Sequence, residues 1–257
     1  MDKIEVRVLD SHDDPGGMMM FLAKLTQRGH NIHNMTDLQK LYDESAEPSE
    51  KIVRRVAQLP HGTIKRFCPI TIAIVGASRR FLAQARTNQV GINYVSASLQ
   101  YSDYSGDADF VVPYALMEHD KKYGRDMAFY YLDSCRMSMK QYNTIASYTD
   151  NDTAGYAAPQ GLRNILIMQA NHQAWDYFIR LRSCNRNTVE TQYVTMLIWE
   201  ALLNTPYGNE FFARSGPDCM FGRCMEGKMS CGKPLNASDN DISTPRRIIM
   251  EKWPLLG

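Results

Sequence analysis

The chain has 257 residues, of which 44% are hydrophobic and 22% charged, and its formal net charge is +1. This length and composition are typical of one globular domain with a sizeable core and argue against disorder. The near-zero charge argues against a nucleic-acid or membrane-surface binder, and no apolar run is long enough to cross a bilayer. Because the first residues lack the form of a signal peptide, we expect a cytoplasmic protein whose six cysteines stay reduced.

Hydrophobic periodicity predicts strands and helices along most of the chain. In chain order the predicted elements are a strand at 4–9, helices at 18–27, 35–42 and 48–59, a strand at 69–75, a short helix at 78–85, a strand at 92–101, a polar loop at 102–112, a long helix at 121–147, a strand at 162–168, and helices at 171–182 and 187–203.

Strands interrupted by helices indicate the α/β (α+β) class, here with a mixed β-sheet flanked by helices. After Gly216 the regular pattern ends, and Cys, Gly, Met and Pro dominate. We therefore predict one domain over residues 1–215 and a Cys-rich C-terminal tail, residues 216–257, packed on that domain. The sequence contains no Gly-rich phosphate loop, GxGxxG, HExxH or GxSxG motif, which excludes the common nucleotide and hydrolase solutions.

The predicted helix at 171–182 combines an apolar face with two polar ends. Asn171, Trp175, Phe178 and Arg182 are spaced i, i+4, i+7 and i+11, so they share one face. At about 1.5 Å per residue the two polar residues lie roughly 16 Å apart. Such a face can hold two adjacent ligands, one at each end. The alternative is structural: Asn171 caps the helix and Arg182 pairs with Glu190 on the next helix.

The spacing of Asn171 and Arg182 resembles that of the flavin-dependent thymidylate synthases. In that family the Asn helps to bind FAD, and the Arg engages the pyrimidine ring and favours ionisation at N3. Pro159 and Glu190 also stand at matching positions. The resemblance covers roughly residues 50–205.

The N-terminal half resembles the family in outline. His61-Gly-Thr63 is similar to a His-x-Thr segment that contacts the flavin, and residues 78–101 are similar to the family's Arg-His-Arg signature stretch. The resemblance implies one set of cofactor-binding residues: His61, Thr63, Arg86, Asn88, Asn171 and Tyr177. It also implies a substrate-binding set: Gln84, Ser96, Ser98, Gln100 and the catalytic Arg182.

Several positions depart from the family pattern. The Arg-His-Arg triplet is Arg86-Thr87-Asn88 here, and either Ser96 or Ser98 can be the signature serine. Gly155 replaces an arginine that contacts the substrate phosphate, and Tyr177 replaces an Asn or His near the flavin. These changes bear on the identity of the substrate more than on the fold.

The resemblance implies transfer of a one-carbon unit to C5 of a pyrimidine nucleotide, dUMP first. It implies FAD as cofactor, NADPH and methylenetetrahydrofolate as co-substrates, and a homotetramer. A fixed arginine beside O2 and N3 would stabilise the charge that develops on the ring. Two alternatives stay open: methylation or hydroxymethylation of another pyrimidine nucleotide, and a noncatalytic relative that binds a nucleotide or a partner protein.

The cysteines of the tail form a second candidate site. Cys219, Cys224 and Cys231 lie close together among glycines, and Cys184, just after Arg182, can supply a fourth thiolate. Four thiolates suit structural zinc or an iron–sulfur cluster. The alternative is an irregular tail with free thiols, since the spacings are not those of common zinc ribbons. A zinc-dependent nucleic-acid binder is disfavoured by the absence of a basic stripe.

Overall fold

The computed structural model describes residues 4–59, 61–104, 106, 108–222, 224–234 and 243–252. The strands are β1 (Glu5–Asp10), β2 (Ile70–Ser78), β3 (Ile92–Ser96) and β4 (Arg163–Ala170). The helices are α1 (Pro15–Arg28), α2 (Met35–Asp43), α3 (Glu50–Ala57), α4 (Arg79–Ala85), α5 (Tyr114–Tyr123), α6 (Met127–Tyr148), α7 (Asn151–Ala154), α8 (His172–Arg182), α9 (Val189–Leu203), α10 (Gly208–Phe212) and α11 (Ser243–Lys252).

The four strands form one sheet in the order β1-β2-β4-β3, and every pairing is antiparallel. The α+β class with a sheet flanked by helices is confirmed. The predicted mixture of parallel and antiparallel strands is wrong for this sheet. Alternating apolar residues look the same in both kinds of pairing, and the direction is decided by how the intervening helices return the chain.

The sheet has one face in the core and one face uncovered in the protomer. Ile70, Ile72 and Ile74 of β2 point inward and are almost fully buried. On the opposite face Val75 and Ile165, which pair directly across β2 and β4, are 45% and 47% exposed, and Val95 of β3 is 68% exposed. This alternation is the expected burial pattern of strands covered by helices on one side.

Helix α8 packs against the buried face through its aromatic residues. Trp175, Phe178 and Ile179 are fully buried, and the Trp175 indole N–H donates to the carbonyl of Ile70 at 3.2 Å. Trp175 and Phe178 meet edge to face, with ring centroids 6.0 Å apart. The predicted apolar face of this helix is therefore the face that fixes it to the sheet.

Two predicted elements differ from those observed. The single long helix at 121–147 is two helices, α5 and α6, separated at Gly124, whose φ of 61° ends α5 in a left-handed conformation. A glycine in this conformation commonly ends a helix, and the prediction of one helix overlooked it. Strand β3 ends at Ser96 rather than at residue 101, because the chain turns there after its last pairing with β4.

The tail is more regular than predicted and shares the main core. It contains short 3₁₀ turns at Asp218–Phe221 and Gly227–Met229 and the helix α11. Met220 and Ile249 are almost fully buried in the main core, and Arg246 forms an ion pair with Glu200 of α9 at 2.8 Å. Division of the chain at residue 215 stays a prediction. Within the described part of the chain, no helix has the length and apolar character required to span a membrane.

Candidate active site

Asn171 occupies the N-terminal end of α8 as its N-cap. Its side-chain oxygen accepts a hydrogen bond from the backbone N–H of Ala174 at 3.0 Å. Because an N-cap uses only the side-chain oxygen, the amide nitrogen keeps its capacity to donate to a ligand. The alternative prediction that Asn171 caps the helix is thus confirmed, and this cap is compatible with a binding role.

Arg182 lies at the other end of α8, where side-chain oxygen atoms of uncharged residues accept hydrogen bonds from its guanidinium. Its Nε donates to Asn88 Oδ1 at 2.8 Å and one Nη donates to Asn187 Oδ1 at 3.2 Å, while the other Nη contacts Asn88 and Thr87. Among the described residues it has no carboxylate partner. The alternative pairing of Arg182 with Glu190 is wrong.

Glu190 instead joins α9 to α4. Its carboxylate accepts from the backbone N–H and the hydroxyl of Ser78 at 2.7 and 2.6 Å, and Ser78 caps α4. Burial raises the pKa of Glu190, against the opposing effect of the two Ser78 donors. Gln84 lies nearby and accepts from Thr188 and Thr191 at the start of α9. The contact of Gln84 with substrate stays a prediction. Its side-chain oxygen Oε1 is hydrogen-bonded to the start of α9.

The loop that follows α4 runs beside α8 and links its two ends. Thr87 and Asn88 contact Arg182, and Gly91, with φ of 75°, approaches the other end. A Cβ atom at Gly91 would lie 3.2 Å from the Cβ of Ala174 and 3.7 Å from the amide nitrogen of Asn171. A side chain there would fill the space beside Asn171, so glycine keeps that end of the helix open.

Tyr94 supports the loop beneath Arg182. Its hydroxyl contacts the carbonyl oxygens of Ala85 and Asn88 at 2.8 and 2.6 Å. Burial raises the pKa of Tyr94 to about 12, although Arg182 and Arg86 act to lower it. Burial also lowers the pKa of Arg182. The phenol stays neutral, so it does not neutralise the guanidinium above it.

The flavin-contact segment predicted from resemblance lies against the start of α8. His61 and Thr63 are exposed at the 3₁₀ turn Gly62–Arg66, and a Cβ atom on Gly62 would lie 2.6 Å from the amide nitrogen of Gln173. Arg66 Nε donates to Gln173 Oε1 at 2.8 Å. The structure thus brings this turn to the same end of the helix as Asn171.

A cleft of about 350 Å³ separates α4 from the end of β3. Arg86 donates to Ser96 Oγ at 2.6 Å, while Ser98 Oγ accepts from the backbone N–H of Gln100 at 3.0 Å. Arg79 lines the same cleft. Burial lowers the pKa of Arg79, Tyr104 raises it, and the nearby charge of Arg86 lowers it again. Two guanidinium groups close enough to repel each other make this cleft suitable for an anion.

Tyr177 lies on a different face of α8 from Asn171. It is exposed and lines a cleft of about 250 Å³ with Cys184, Cys219 and Cys224. In the protomer the structure does not bring Tyr177 to the Asn171 end, and its predicted place beside the flavin stays a prediction.

Sequence reasoning missed a second polar face of α8. His172, Gln173 and Asp176 line a cleft of about 870 Å³ together with residues of α3 and α10. The i, i+4 spacing of His172 and Asp176 could have indicated this face. By contrast, nothing in the sequence marks Thr87 or Tyr94 as neighbours of Arg182, because each reaches it through the tertiary fold.

Comparison with known proteins identifies the family. The model of the family Thy1, "Thymidylate synthase complementing protein", matches residues 7–205. A flavin-dependent thymidylate synthase of Geobacter sulfurreducens is 21% identical over 231 residues, which cover 90% of this chain and 94% of the relative. The enzyme of Clostridium tetani is 24% identical over 248 residues with the same coverage. The chain belongs to the thymidylate synthase complementing protein family.

Solved structures share the fold. A flavin-dependent thymidylate synthase of Helicobacter pylori complexed with FAD and dUMP has a TM-score of 0.60 at 16% identity, covering 82% of this chain and 99% of that chain. A UMP/dUMP methylase of Streptomyces cacaoi bound with 5-Br dUMP has a TM-score of 0.62 at 14% identity, covering 84% of this chain and 97% of that chain. The matched family region ends before the cysteine tail.

We predict that His172 makes stability depend on pH. Its ring stacks on Phe212, and burial lowers its pKa from 6.5 to about 4. Between these values the unfolded chain binds more protons, so stability falls as the pH falls through this window. From pH 7 to pH 5 the loss due to His172 is about 2 kcal/mol.

The variant His172→Phe keeps the stacked ring and should lack this loss. Urea unfolding of both proteins at the two pH values measures it, because all other titrating groups are shared. An identical pH dependence in the variant would contradict the assignment.

Proposed function

We propose that this protein is a flavin-dependent enzyme that transfers a one-carbon unit to C5 of a pyrimidine nucleotide, with dUMP as substrate. The observation that carries the proposal is the environment of the Arg182 guanidinium. Its guanidinium is half-buried and is held in a fixed plane by neutral acceptors. Within the described part of the chain no carboxylate neutralises it, so its charge is available to an electron-rich ring.

The residues present fit FAD at the start of α8. The exposed polar groups of His61, Thr63 and Arg66 lie at the same end of α8 as the Asn171 amide, and Gly91 leaves the space that a side chain would occupy. Such donors suit the phosphates and ring edges of a dinucleotide. With the cofactor at this end of α8 and the nucleotide at Arg182, the two ligands would lie beside each other.

Bound FAD would supply the redox chemistry, which the side chains of this chain cannot supply themselves. The contribution of Arg182 would be electrostatic: its positive charge would stabilise the negative charge that builds on O2 and N3 of the ring. Asn88, Thr87 and Asn187 hold the guanidinium plane, so little reorganisation is needed when the charge develops. Arg79 and Arg86 would hold the phosphate of the nucleotide in their cleft.

NADPH as the reductant and methylenetetrahydrofolate as the carbon donor complete the proposal, on the strength of the family alone. A cytoplasmic location, in which thiols stay reduced, is also part of the proposal. A homotetramer is proposed on the family resemblance, and the uncovered apolar sheet face supports a subunit interface, because exposed patches of this kind mark such interfaces.

A second candidate substrate is UMP. The loss of the family's phosphate-binding arginine at Gly155 and the fold similarity to a UMP/dUMP methylase favour testing a ribonucleotide beside dUMP.

The visible spectrum of the purified protein tests the proposal. After addition of FAD we expect flavin bands at about 370 and 450 nm that persist through gel filtration, since the cofactor's own ring gives them. Added dUMP should shift these bands because the nucleotide would lie beside the flavin. If UMP shifts the flavin bands and dUMP does not, the substrate would be UMP and the proposed mechanism would stand. Absence of bound flavin would favour a noncatalytic relative.

The variant Arg182→Lys should lower kcat by about 10²-fold or more, because the compact ammonium group of lysine replaces the planar guanidinium and its set of N–H donors. Thermal melting should show a folded protein. The matched control is Arg136→Lys, which makes the same chemical change at an exposed position on α6. Turnover within twofold of wild type for Arg182→Lys would remove this residue from the mechanism.

The sheet face is tested by Ile165→Lys, which places a charge in the centre of the uncovered patch. We expect sedimentation velocity to show dissociation of the tetramer into smaller species. The control is Tyr148→Lys, a substitution at the exposed end of α6. A tetramer that survives Ile165→Lys would mean that the subunits meet through another surface.

A further inference from the structure

The cysteines near the end of α8 do not form a metal site in this structure. Among the described residues no group of three or more Cys, His, Asp or Glu side chains is placed to hold a metal ion. The metal site predicted from the sequence therefore stays a prediction. Its four cysteines are Cys184, Cys219, Cys224 and Cys231.

A cleft of about 870 Å³ lies beside α8, between α3, α10 and the 3₁₀ turn Gly62–Arg66, and is called the α3–α10 cleft below. His172, Gln173 and Asp176 form its wall on α8, and Arg182 lies outside its lining. Its volume falls within the range of about 300–1,000 Å³ that is typical of small-molecule and cofactor sites. The nucleotide proposed at Arg182 leaves this cleft unused.

Three cationic side chains line the α3–α10 cleft and come from separate elements. They are Arg54 of α3, Lys65 of the 3₁₀ turn and Arg214, which follows α10. Among the described residues, neither Lys65 nor Arg214 forms a side-chain hydrogen bond or an ion pair. Lys65 is partly buried, and burial lowers its pKa although the charge of Asp176 raises it. Cations that are partly removed from water without a bound partner favour an anionic ligand.

The two carboxylates of the α3–α10 cleft already have partners in the protein. Glu210 accepts a hydrogen bond from Arg54 at 2.9 Å, and Asp176 Oδ1 accepts one from the Ser215 hydroxyl at 2.6 Å. The Glu210 side chain is only 5% exposed, whereas that of Arg54 is 58% exposed and has further N–H donors for a ligand. The second oxygen of Asp176 can accept a ribose hydroxyl, as carboxylates do at nucleotide sites.

An apolar wall completes the α3–α10 cleft. Leu59 lines it and is 39% exposed. Phe211 also lines it and packs edge to face on His172, with ring centroids 4.4 Å apart. The cleft therefore combines cations, a carboxylate oxygen and an apolar surface. These groups complement the phosphates, the ribose hydroxyls and the planar base of a nucleotide.

We propose that the α3–α10 cleft is a second nucleotide site and that it binds NADPH. The choice of this nucleotide rests on the proposed function, because a reductant must lie beside the flavin. Gly62 and Gln173 line the cleft, and His61 and Thr63, which flank Gly62, belong to the end of α8 at which FAD is proposed. The three cations contact the phosphates of NADPH, and Asp176 accepts from a ribose hydroxyl.

Calorimetric titration of NADPH into the flavin-free, full-length protein tests this site without a measurement of activity. We expect one molecule of NADPH to bind to each chain. The variants Lys65→Gln and Arg214→Gln should each raise the Kd for NADPH about tenfold or more, because each removes a charge-assisted contact with a phosphate. Arg214 is exposed, so its variant keeps the test decisive if Lys65→Gln fails to fold.

Two matched controls make the same chemical changes outside the cleft. Lys51→Gln and Arg55→Gln alter exposed positions of α3 that do not line it, so the Kd for NADPH should stay at the wild-type value. All four variants should bind FAD with the flavin bands of the wild type. Retention of these bands separates the loss of the NADPH site from the loss of the flavin site.

Three results would overturn the proposal. The first is an equal affinity for NADPH in the wild type and in both cleft variants, and the second is a wild type that binds FAD but not NADPH. The third is binding of tetrahydrofolate that both variants weaken while NADPH binding is unchanged, which would assign the cleft to the carbon donor. By contrast, NADPH binding through Lys65 and Arg214 in a protein that takes up no flavin would uphold the nucleotide site and refute the proposed flavin chemistry.

Discussion

The packing of Trp175 against the sheet is the contact on which the candidate site depends. Its ring is fully buried and its N–H reaches a carbonyl of β2, so α8 has one position on the sheet. That position fixes Asn171 at one end and Arg182 at the other. A helix this firmly packed can present two polar groups at a set separation, which is what two adjacent ligands require.

The rest of the site is assembled around Arg182 by elements from other parts of the chain. The loop after α4 brings Thr87 and Asn88, and the segment before α9 brings Asn187. These partners are neutral, so they orient the charge without cancelling it. By contrast, the carboxylate of Glu190 is committed to Ser78 and joins two helices. Because Glu190 binds Ser78 and not Arg182, its carboxylate does not cancel the charge of the guanidinium.

The tail, too, is positioned by side chains buried in the main core. Met220 and Ile249 are anchored in the main core, whereas the described residues 221–222 and 224–234, which include Cys224 and Cys231, are mostly exposed. The family region ends before this stretch. The thiols of Cys219 and Cys224 line a cleft at the end of the helix that carries Arg182.

The sequence by itself determined the α+β class, most of the elements, and the shared face of Asn171, Trp175, Phe178 and Arg182, because periodicity records which side chains are buried. It also indicated Asn171 as a helix cap, because an asparagine side chain at a helix start can accept a backbone N–H. Only the tertiary structure decided the antiparallel order of the sheet and the contacts of Arg182 with Thr87 and Asn88. Strand direction and contacts between distant residues depend on how the chain returns through space, and local patterns carry no record of that path.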